Sequence, residues 1–466
     1  MARPGTEGRP LRVAVIGAGP AGFYTAEQLF RQPGLAVEVD LYDRLPTPYG
    51  LVRFGVAPDH QKIKNVTAAF DKTAAHPGFR FFGHVELGKD VTIEDLRAHY
   101  HQIVYTTGAQ TDRRMGIPGE DLRGSHPATD FVAWYNGHPD YREQRFDLSQ
   151  ERVAVVGVGN VAVDVVRILC RTPEELAATD ISDDALAALR ESRVREVYLL
   201  GRRGPAQAAF TNPEIRELGE LPGADVAARP DEVELDPLTR AELEKSADRG
   251  TLKKVEILRE YARRAPLGKP RTLIVRFLVS PVALHGGESG EVVGLRVVRN
   301  ELHATAAGTL QARPTDRFEE LPAGLVFRSV GYRGVPIPGV PFHDTWGVIL
   351  NDKGRVLEPD SREPRAGEYA AGWIKRGPTG VIGTNKPDAA ETVACMVEDA
   401  GRDRLLAPSE LESGAALALV QQRQPQFVAW PDWQRLDALE VARGRASGRP
   451  RVKFTRVEEM LAALGR

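Results

Sequence analysis

The chain has 466 residues, room for roughly two to four domains. Hydrophobic residues make up 42% and charged residues 27%, an ordinary globular balance, and 62 Lys and Arg against 64 Asp and Glu leave a formal charge of −2. There is no overall basic field to attract nucleic acid or an anionic membrane, and no apolar run long enough to cross a bilayer.

Residues 1–10 are polar, lack the apolar core of a signal peptide, and read as a frayed tail. Regular structure begins at Leu11. The apolar run Leu11-Arg-Val-Ala-Val-Ile16 feeds Gly17-Ala18-Gly19-Pro20-Ala21-Gly22, a helical pattern follows to Leu29, and a second apolar run, Val37 to Tyr42, ends at Asp43. Strand, Gly-x-Gly-x-x-Gly turn, helix, strand and acid form the dinucleotide-binding fingerprint in its required context. Gly17 would make the tight turn, Gly19 would let the backbone approach a pyrophosphate, and Gly22 would let the helix pack on the strand. The helix N-terminus adds N–H groups and a positive dipole end. Asp43 would accept from a ribose hydroxyl.

Asp59 to Ala75 then reads as a helix and Phe79 to Val85 as a strand. Thr92 to Ala98 is a helix opened by a capping-box Thr-x-x-Asp, and His101 to Gly108 is a strand running into a glycine. Met115-Gly-Ile-Pro-Gly-Glu-Asp121 has the turn chemistry of a linker. Beyond it lies a second fingerprint, Val153-Ala-Val-Val-Gly157-Val-Gly159-Asn160-Val161-Ala162-Val-Asp164, with Ala in the third glycine position. The strand after it, Val194 to Leu200, ends in Gly201-Arg202-Arg203-Gly204 instead of an acid. An acid binds a free ribose 2′-hydroxyl and repels a phosphate; arginine does the opposite. Two charged hydrogen bonds of about 1.5–3 kcal/mol each would favour NADPH over NADH about a hundredfold or more. The first unit is therefore predicted to take an adenosine with a free ribose, and the second NADP(H).

Leu238 to Arg264 is helical and highly charged; Arg271 to Val279 and Val292 to Arg299 read as strands about a glycine-rich turn. Gly324-Leu-Val-Phe-Arg-Ser-Val-Gly331 repeats the strand-to-glycine form of Tyr105–Gly108. The matching exits predict an α/β fold of two Rossmann-like dinucleotide-binding domains, the second inserted into the first: residues 1–109 and 331–466 form one, 110–330 the other. Glu368 to Gly372-Trp373 and on through Gly380-Val381-Ile382-Gly383-Thr384-Asn385 is a strand and glycine-rich loop before a helix, with backbone donors suited to the carbonyl edge of a flavin. Ala407 to Arg466 reads as amphipathic helices, with Trp430 and Trp433 as packing residues. The two cysteines, Cys170 and Cys395, form no Cys-x-x-Cys, which excludes a redox disulfide of that spacing and a cysteine-built iron–sulfur cluster. They are expected to be core thiols, in keeping with a reducing cytoplasm. No metal site is read.

Together these stretches, with Pro48-Tyr-Gly-Leu-Val-Arg-Phe-Gly-Val-Ala-Pro-Asp-His60, Thr179-Asp-Ile-Ser-Asp183 and Phe210-Thr-Asn-Pro-Glu214, closely resemble the adrenodoxin-reductase-like ferredoxin–NADP⁺ reductases, including the bacterial NADPH–ferredoxin reductases. The resemblance runs from Leu11 to about Asp399 and less distinctly to the end. It implies FAD in the first domain, held by the Gly17–Gly22 turn, Asp43, Leu51, Val85, Trp373, Gly380, Val381 and Ile382. It implies NADPH in the second, held by Gly159, Asn160, Val161, Ala162, Arg202, Arg203 and Glu214, with Gly380 near both cofactors. His60 and Glu214 would tune transfer at the flavin and nicotinamide; the alternative for each is a structural residue of its own helix start. Many two-dinucleotide-domain flavoproteins carry Gly-Asp where this chain has Gly372-Trp373; the resembled subfamily carries Trp. The implied activity is hydride transfer from NADPH to FAD N5, then single-electron transfer to a ferredoxin-type iron–sulfur protein. The basic run Arg190 to Arg216, with Lys253, Lys254, Arg259 and Arg263, is a candidate docking face for it. An NADPH-dependent reductase of quinones or small acceptors, and a non-catalytic FAD/NADP-binding module, fit the same motifs.

Overall fold

A computed structural model describes residues 3–410, 412 and 414–466. The chain divides into two compact units: Met1–Val56, His60–Thr111 and Gly331–Arg466 form one, and Ala57–Asp59 with Asp112–Val330 the other.

The first unit is built on a seven-stranded sheet. In spatial order the strands are Asn351–Asp352, Arg355–Leu357, Pro364–Ala370, Gln102–Tyr105, Leu11–Ile16, Val37–Asp43 and Phe79–Gly83. The last five run parallel, with registers such as Val13 opposite Val39 and Ile16 opposite Tyr42. Leu11–Ile16 is buried along its whole length because both its faces are covered. Leu11, Val13 and Val15 pack with Phe23, Leu29, Ala389 and Met396, while Ala14 and Ile16 turn to Leu96, Ile349 and Val356 on the other face. The alternation is the period-two geometry of a strand. The C-terminal helices Trp430–Ala446 and Val457–Ala463 close the first of these cores through Trp433, Leu436 and Met460. The Trp430 ring meets Phe23, Phe79 and Phe81 edge-on, so both tryptophans are packing residues.

The second unit carries a six-stranded parallel sheet, ordered Ser125–Pro127, Leu325–Arg328, Arg152–Val156, Glu196–Leu200, Arg271–Arg276 and Ala224–Ala228. A separate antiparallel sheet of Val279–Gly286, Val292–Ala304 and Leu310–Pro322 is appended to it.

Several sequence expectations change in detail. Asp59 to Ala75 is not one helix but two, Gln61–Lys64 and Thr67–Ala74. The charged stretch from Leu238 breaks at Ala247, which is left-handed (φ 50°) between Pro237–Ser246 and Arg249–Arg263. Leu310–Pro322 has no apolar period, since its outer positions face solvent; pairing to its neighbour, not burial, makes it a strand. The N-terminal residues from Gly5 are tied down: Gly5 N–H donates to Arg9 O, and Ala36 N–H to Gly5 O. Cys170 and Cys395 are free and buried, and burial pushes the Cys170 thiol up to about 12. Among the described residues no helix is long and apolar enough to cross a membrane.

Candidate functional site

In the first unit the chain leaves Leu11–Ile16 through Gly17, whose φ is +112° and whose N–H donates to Tyr42 O at 2.8 Å. A Cβ at Gly17 would stand 2.7 Å from Thr106 O, and one at Gly22 2.2 Å from Gly17 O. These contacts require glycine, because the helix Pro20–Phe30 starts directly against the strand end. Its N-cap, Gly19, has no side chain to cap the first turn, and the nearest atom to a Cβ there would be Gly50 Cα at 4.0 Å. Uncapped N–H groups and a bare backbone facing open space are what a pyrophosphate requires.

Asp43 ends the second strand as expected, but its carboxylate already works on the protein. One oxygen accepts from Ala18 N–H at 2.8 Å and the other from Leu45 N–H at 2.9 Å, and burial pushes its pKa up. It braces the glycine turn, and a ribose hydroxyl would use the remaining lone pairs. Tyr49 N–H donates to Ala18 O at 2.7 Å, which folds the segment before Leu51 back onto the same turn, and Val85 N–H donates to Asp43 O at 2.9 Å. The distant loop arrives at the same place. Gly372 (φ +78°) abuts Ala21, so that a Cβ on Gly372 would come within 2.5 Å of the Ala21 Cβ. Trp373 donates its indole N–H to Thr379 O at 3.2 Å and lies 5.3 Å, centroid to centroid, from Tyr332. Gly380 is left-handed, Val381 is exposed, and Ile382 packs partly on the core. Asp388, which sequence reasoning missed, accepts from Gly372 N–H at 2.5 Å and pairs with Lys375 and Arg376, holding the loop from the following helix.

The second unit repeats the device. Gly157 (φ +130°) donates to Leu200 O at 2.9 Å, and the helix Asn160–Cys170 starts at Gly159, which again bears no cap and opens on empty space. Ala162 is fully buried where a third glycine could stand, and Val161 packs at the margin of the core. Arg202 is exposed and Arg203 half-buried at the end of Glu196–Leu200. Among the described residues neither has a carboxylate partner. Burial and then the Arg202 charge pull the Arg203 pKa down, so an anion between them would relieve their repulsion.

Phe210-Thr-Asn-Pro-Glu214 docks on this turn. Ala209 and Phe210 N–H groups donate to Val158 O, and Thr211 N–H to the Asn160 side chain at 3.0 Å. Glu214 stands in the first turn of Asn212–Leu218, where burial raises its pKa against the pull of Arg167. Arg167 is a fully buried hub that the sequence did not reveal. It meets Asp164 at 2.6 Å, Asp59 at 2.8 Å and Glu214 at 3.1 Å. The guanidinium, shared with Asp59 and Asp164 and reaching Glu217 at 3.8 Å, holds Glu214 in a fixed place, and Asp59 belongs to this unit for that reason. His60 opens the helical turn Gln61–Lys64 of the first unit and makes no side-chain cap there. The expected basic face is more neutral than its sequence: Lys253 pairs with Glu256 and Arg259 with Glu234, while Lys254 donates to Ala208 O.

The chain is 46% identical to the NADPH-ferredoxin reductase FprA of Mycobacterium tuberculosis over 463 residues, 97% of this chain and 99% of that one. The chain belongs to the NADPH–ferredoxin reductase family. A human member, mitochondrial NADPH:adrenodoxin oxidoreductase, is 42% identical over 469 residues, covering 99% of this chain and 93% of its own. The solved structure of M. tuberculosis FprA in complex with NADPH superposes with a TM-score of 0.92 at 44% identity, covering 98% of this chain and all of that one. The family model for pyridine nucleotide-disulphide oxidoreductases matches residues 11–205, which include both glycine turns and the Arg202–Arg203 pair. In this member of the reductase family the fold class and the two glycine turns stand as the sequence predicted them.

Proposed function

We propose that this chain transfers electrons from NADPH through FAD to a ferredoxin-type iron–sulfur protein. The observation that carries the reading is the opposite chemistry at the ends of two otherwise matching turns: Asp43 in the first unit, and in the second the pair Arg202 and Arg203, without a carboxylate partner among the described residues. The first unit, with Gly17–Gly22, Asp43, Leu51, Val85, Trp373 and Gly380–Ile382, suits FAD. The second, with Gly159–Ala162, Arg202, Arg203 and Glu214, suits NADP(H). Division of the chain after Thr111 and before Gly331 supports an FAD domain of residues 1–109 and 331–466 around an NADP domain of 110–330. Relatives named for NADPH with ferredoxin or adrenodoxin support the acceptor class.

Bound flavin supplies the passage from two-electron to one-electron chemistry. The chain's own task is orientation. The uncapped helix starts at Gly19 and Gly159 receive the phosphates, the arginine pair selects the 2′-phosphate, and the Arg167 network fixes Glu214 beside the glycine turn of the second unit. His60 and Glu214 are the residues assigned to tuning transfer. The free buried thiols support a reducing, cytoplasmic compartment.

The test is an anaerobic titration of the purified protein, watching the visible flavin band, with NADPH and NADH in parallel. Bleaching by NADPH at about a hundredth of the NADH concentration is expected. A yellow protein that neither nucleotide bleaches would leave only a binding module. Equal turnover with and without added ferredoxin would point to a reductase of small acceptors.

A further inference from the structure

In the second unit the end of the strand Arg271–Arg276 and the entry to the antiparallel sheet grip the arginine turn. Gly201 N–H donates to Arg276 O at 2.9 Å, Val279 N–H to Gly201 O at 3.0 Å, and Leu278 N–H to Arg203 O at 3.1 Å. Leu278 takes a left-handed conformation, φ 56°, rare for a branched side chain, at the point where its N–H meets Arg203. The remaining carbonyl, that of Arg202, is held by a side chain: Asn300 Nδ2 donates to Arg202 O at 2.8 Å and to Ser280 Oγ at 2.8 Å. The Asn300 backbone N–H donates to Leu278 O at 2.7 Å. One residue thus touches both supports of the turn.

Its placement is specific. Asn300 is 3% exposed on the long strand Val292–Ala304, whose other inward positions are Val292, Leu295, Val297 and Val298. The ladder slips here: Val298 pairs with Phe318, but Asn300 pairs with Pro314. A bulge of this kind re-aims a side chain. A buried amide is costly unless bonded, and both its N–H groups have acceptors, one of them the arginine carbonyl.

Resting on the reading of Arg202 and Arg203 as the 2′-phosphate contact, we propose that Asn300 is a positioning residue for the choice of NADPH over NADH. It fixes the Arg202 carbonyl, and with it the place from which the arginine pair meets the phosphate. Two like charges held side by side repel, so without a fixed backbone the pair spreads into solvent, and binding must reassemble it. NADH, lacking the 2′-phosphate, does not use the pair.

The experiment compares Asn300→Leu and Asn300→Ser with the unmodified holoenzyme, each also in an Arg202→Ala/Arg203→Ala background. Leucine keeps the branched outline and removes the N–H donor. Serine is small and polar, too short to reach Arg202 O, and covers the case in which the leucine variant fails to fold. The expected result is a rise of about tenfold in KM for NADPH, with KM for NADH, kcat with either nucleotide and flavin content within about twofold. In the double-alanine background the Asn300 substitutions should change nothing further, since both act through one contact. Equal rises for NADPH and NADH would overturn the proposal and leave Asn300 a structural residue. If the double-alanine protein loses its preference for NADPH while the Asn300 variants keep theirs, the inference alone fails. If the double-alanine protein keeps the preference, the assignment of the arginine pair fails with it.

Discussion

At the scale of single residues, the groups that matter most here are polar and buried, and each is held by a partner far along the chain. His101 is one. Its Nδ1 accepts from Arg12 N–H at 3.0 Å, which places the ring proton on Nε2 and leaves no room for a second proton at Nδ1. Burial, then the charges of Arg12 and Arg9, hold its pKa down to about 4. An unfolded histidine titrates near 6.5, so between these values the unfolded chain binds the extra proton and the native one does not. The contribution of His101 is complete above about pH 6.5 and is lost as pH falls toward 4. Urea midpoints measured at pH 7 and pH 5 should show a drop that shrinks in His101→Asn; an unchanged drop would remove His101 as its source. Arg167 follows the same logic with opposite charge. A guanidinium without solvent access is tolerable only because carboxylates surround it, and of these only Asp164, three residues earlier on the same helix, is marked out by local sequence as its neighbour; Asp59 and Glu214 are not.

At the scale of elements, strand, glycine turn and helix form one device, used twice. Its tolerance is set by backbone contacts. A methyl group at position 22 would lie 2.2 Å from Gly17 O and 3.1 Å from Leu41 Cδ1, so helix and strand must separate or the turn must open. Gly22→Ala should cost about 1–3 kcal/mol of stability and purify with little flavin. Flavin absorbance per protein, read against the unmodified chain, decides this; full occupancy would show that the turn yields elsewhere. The same change in the second unit is already present as Ala162, fully buried, which shows how much more room the second helix leaves at its start. Where sequence misjudged an element, the cause was local chemistry overridden by context: Ala247 ends a helix that its charged, periodic flanks would continue. Leu310–Pro322, on which the sequence carries no signal, is a strand through pairing alone.

At the scale of the whole molecule, the formal charge of −2 gives no general attraction for an acidic partner, so docking depends on how charge is arranged. In the helix Arg249–Arg263, which supplied part of the basic run, Lys253 pairs with Glu256 on the same helix and Arg259 with Glu234 outside it. The rate of reducing a separate ferredoxin should therefore fall with salt, but gently. Stopped-flow rates from low salt to about 0.5 M check this, and a flat profile would dismiss a charged docking face.

Much of the candidate site was legible because its chemistry is short-range. Gly17 to Gly22, Gly159 to Ala162, Asp43 and the Arg202–Arg203 pair lie within single strand–turn–helix units, where residue type and spacing dictate geometry. Even the capping box at Thr92 appeared as read. The chain by itself thus determined two glycine turns, their opposite terminal charges and the parallel cores. Only the tertiary structure decided what lies beside them: Gly372 against Ala21, Asp59 on Arg167, Asp388 beneath the Gly372 loop, Asn300 behind Arg202. Those contacts depend on sheet register, on a bulge and on burial, which are properties of strands already assembled and leave no period in the sequence.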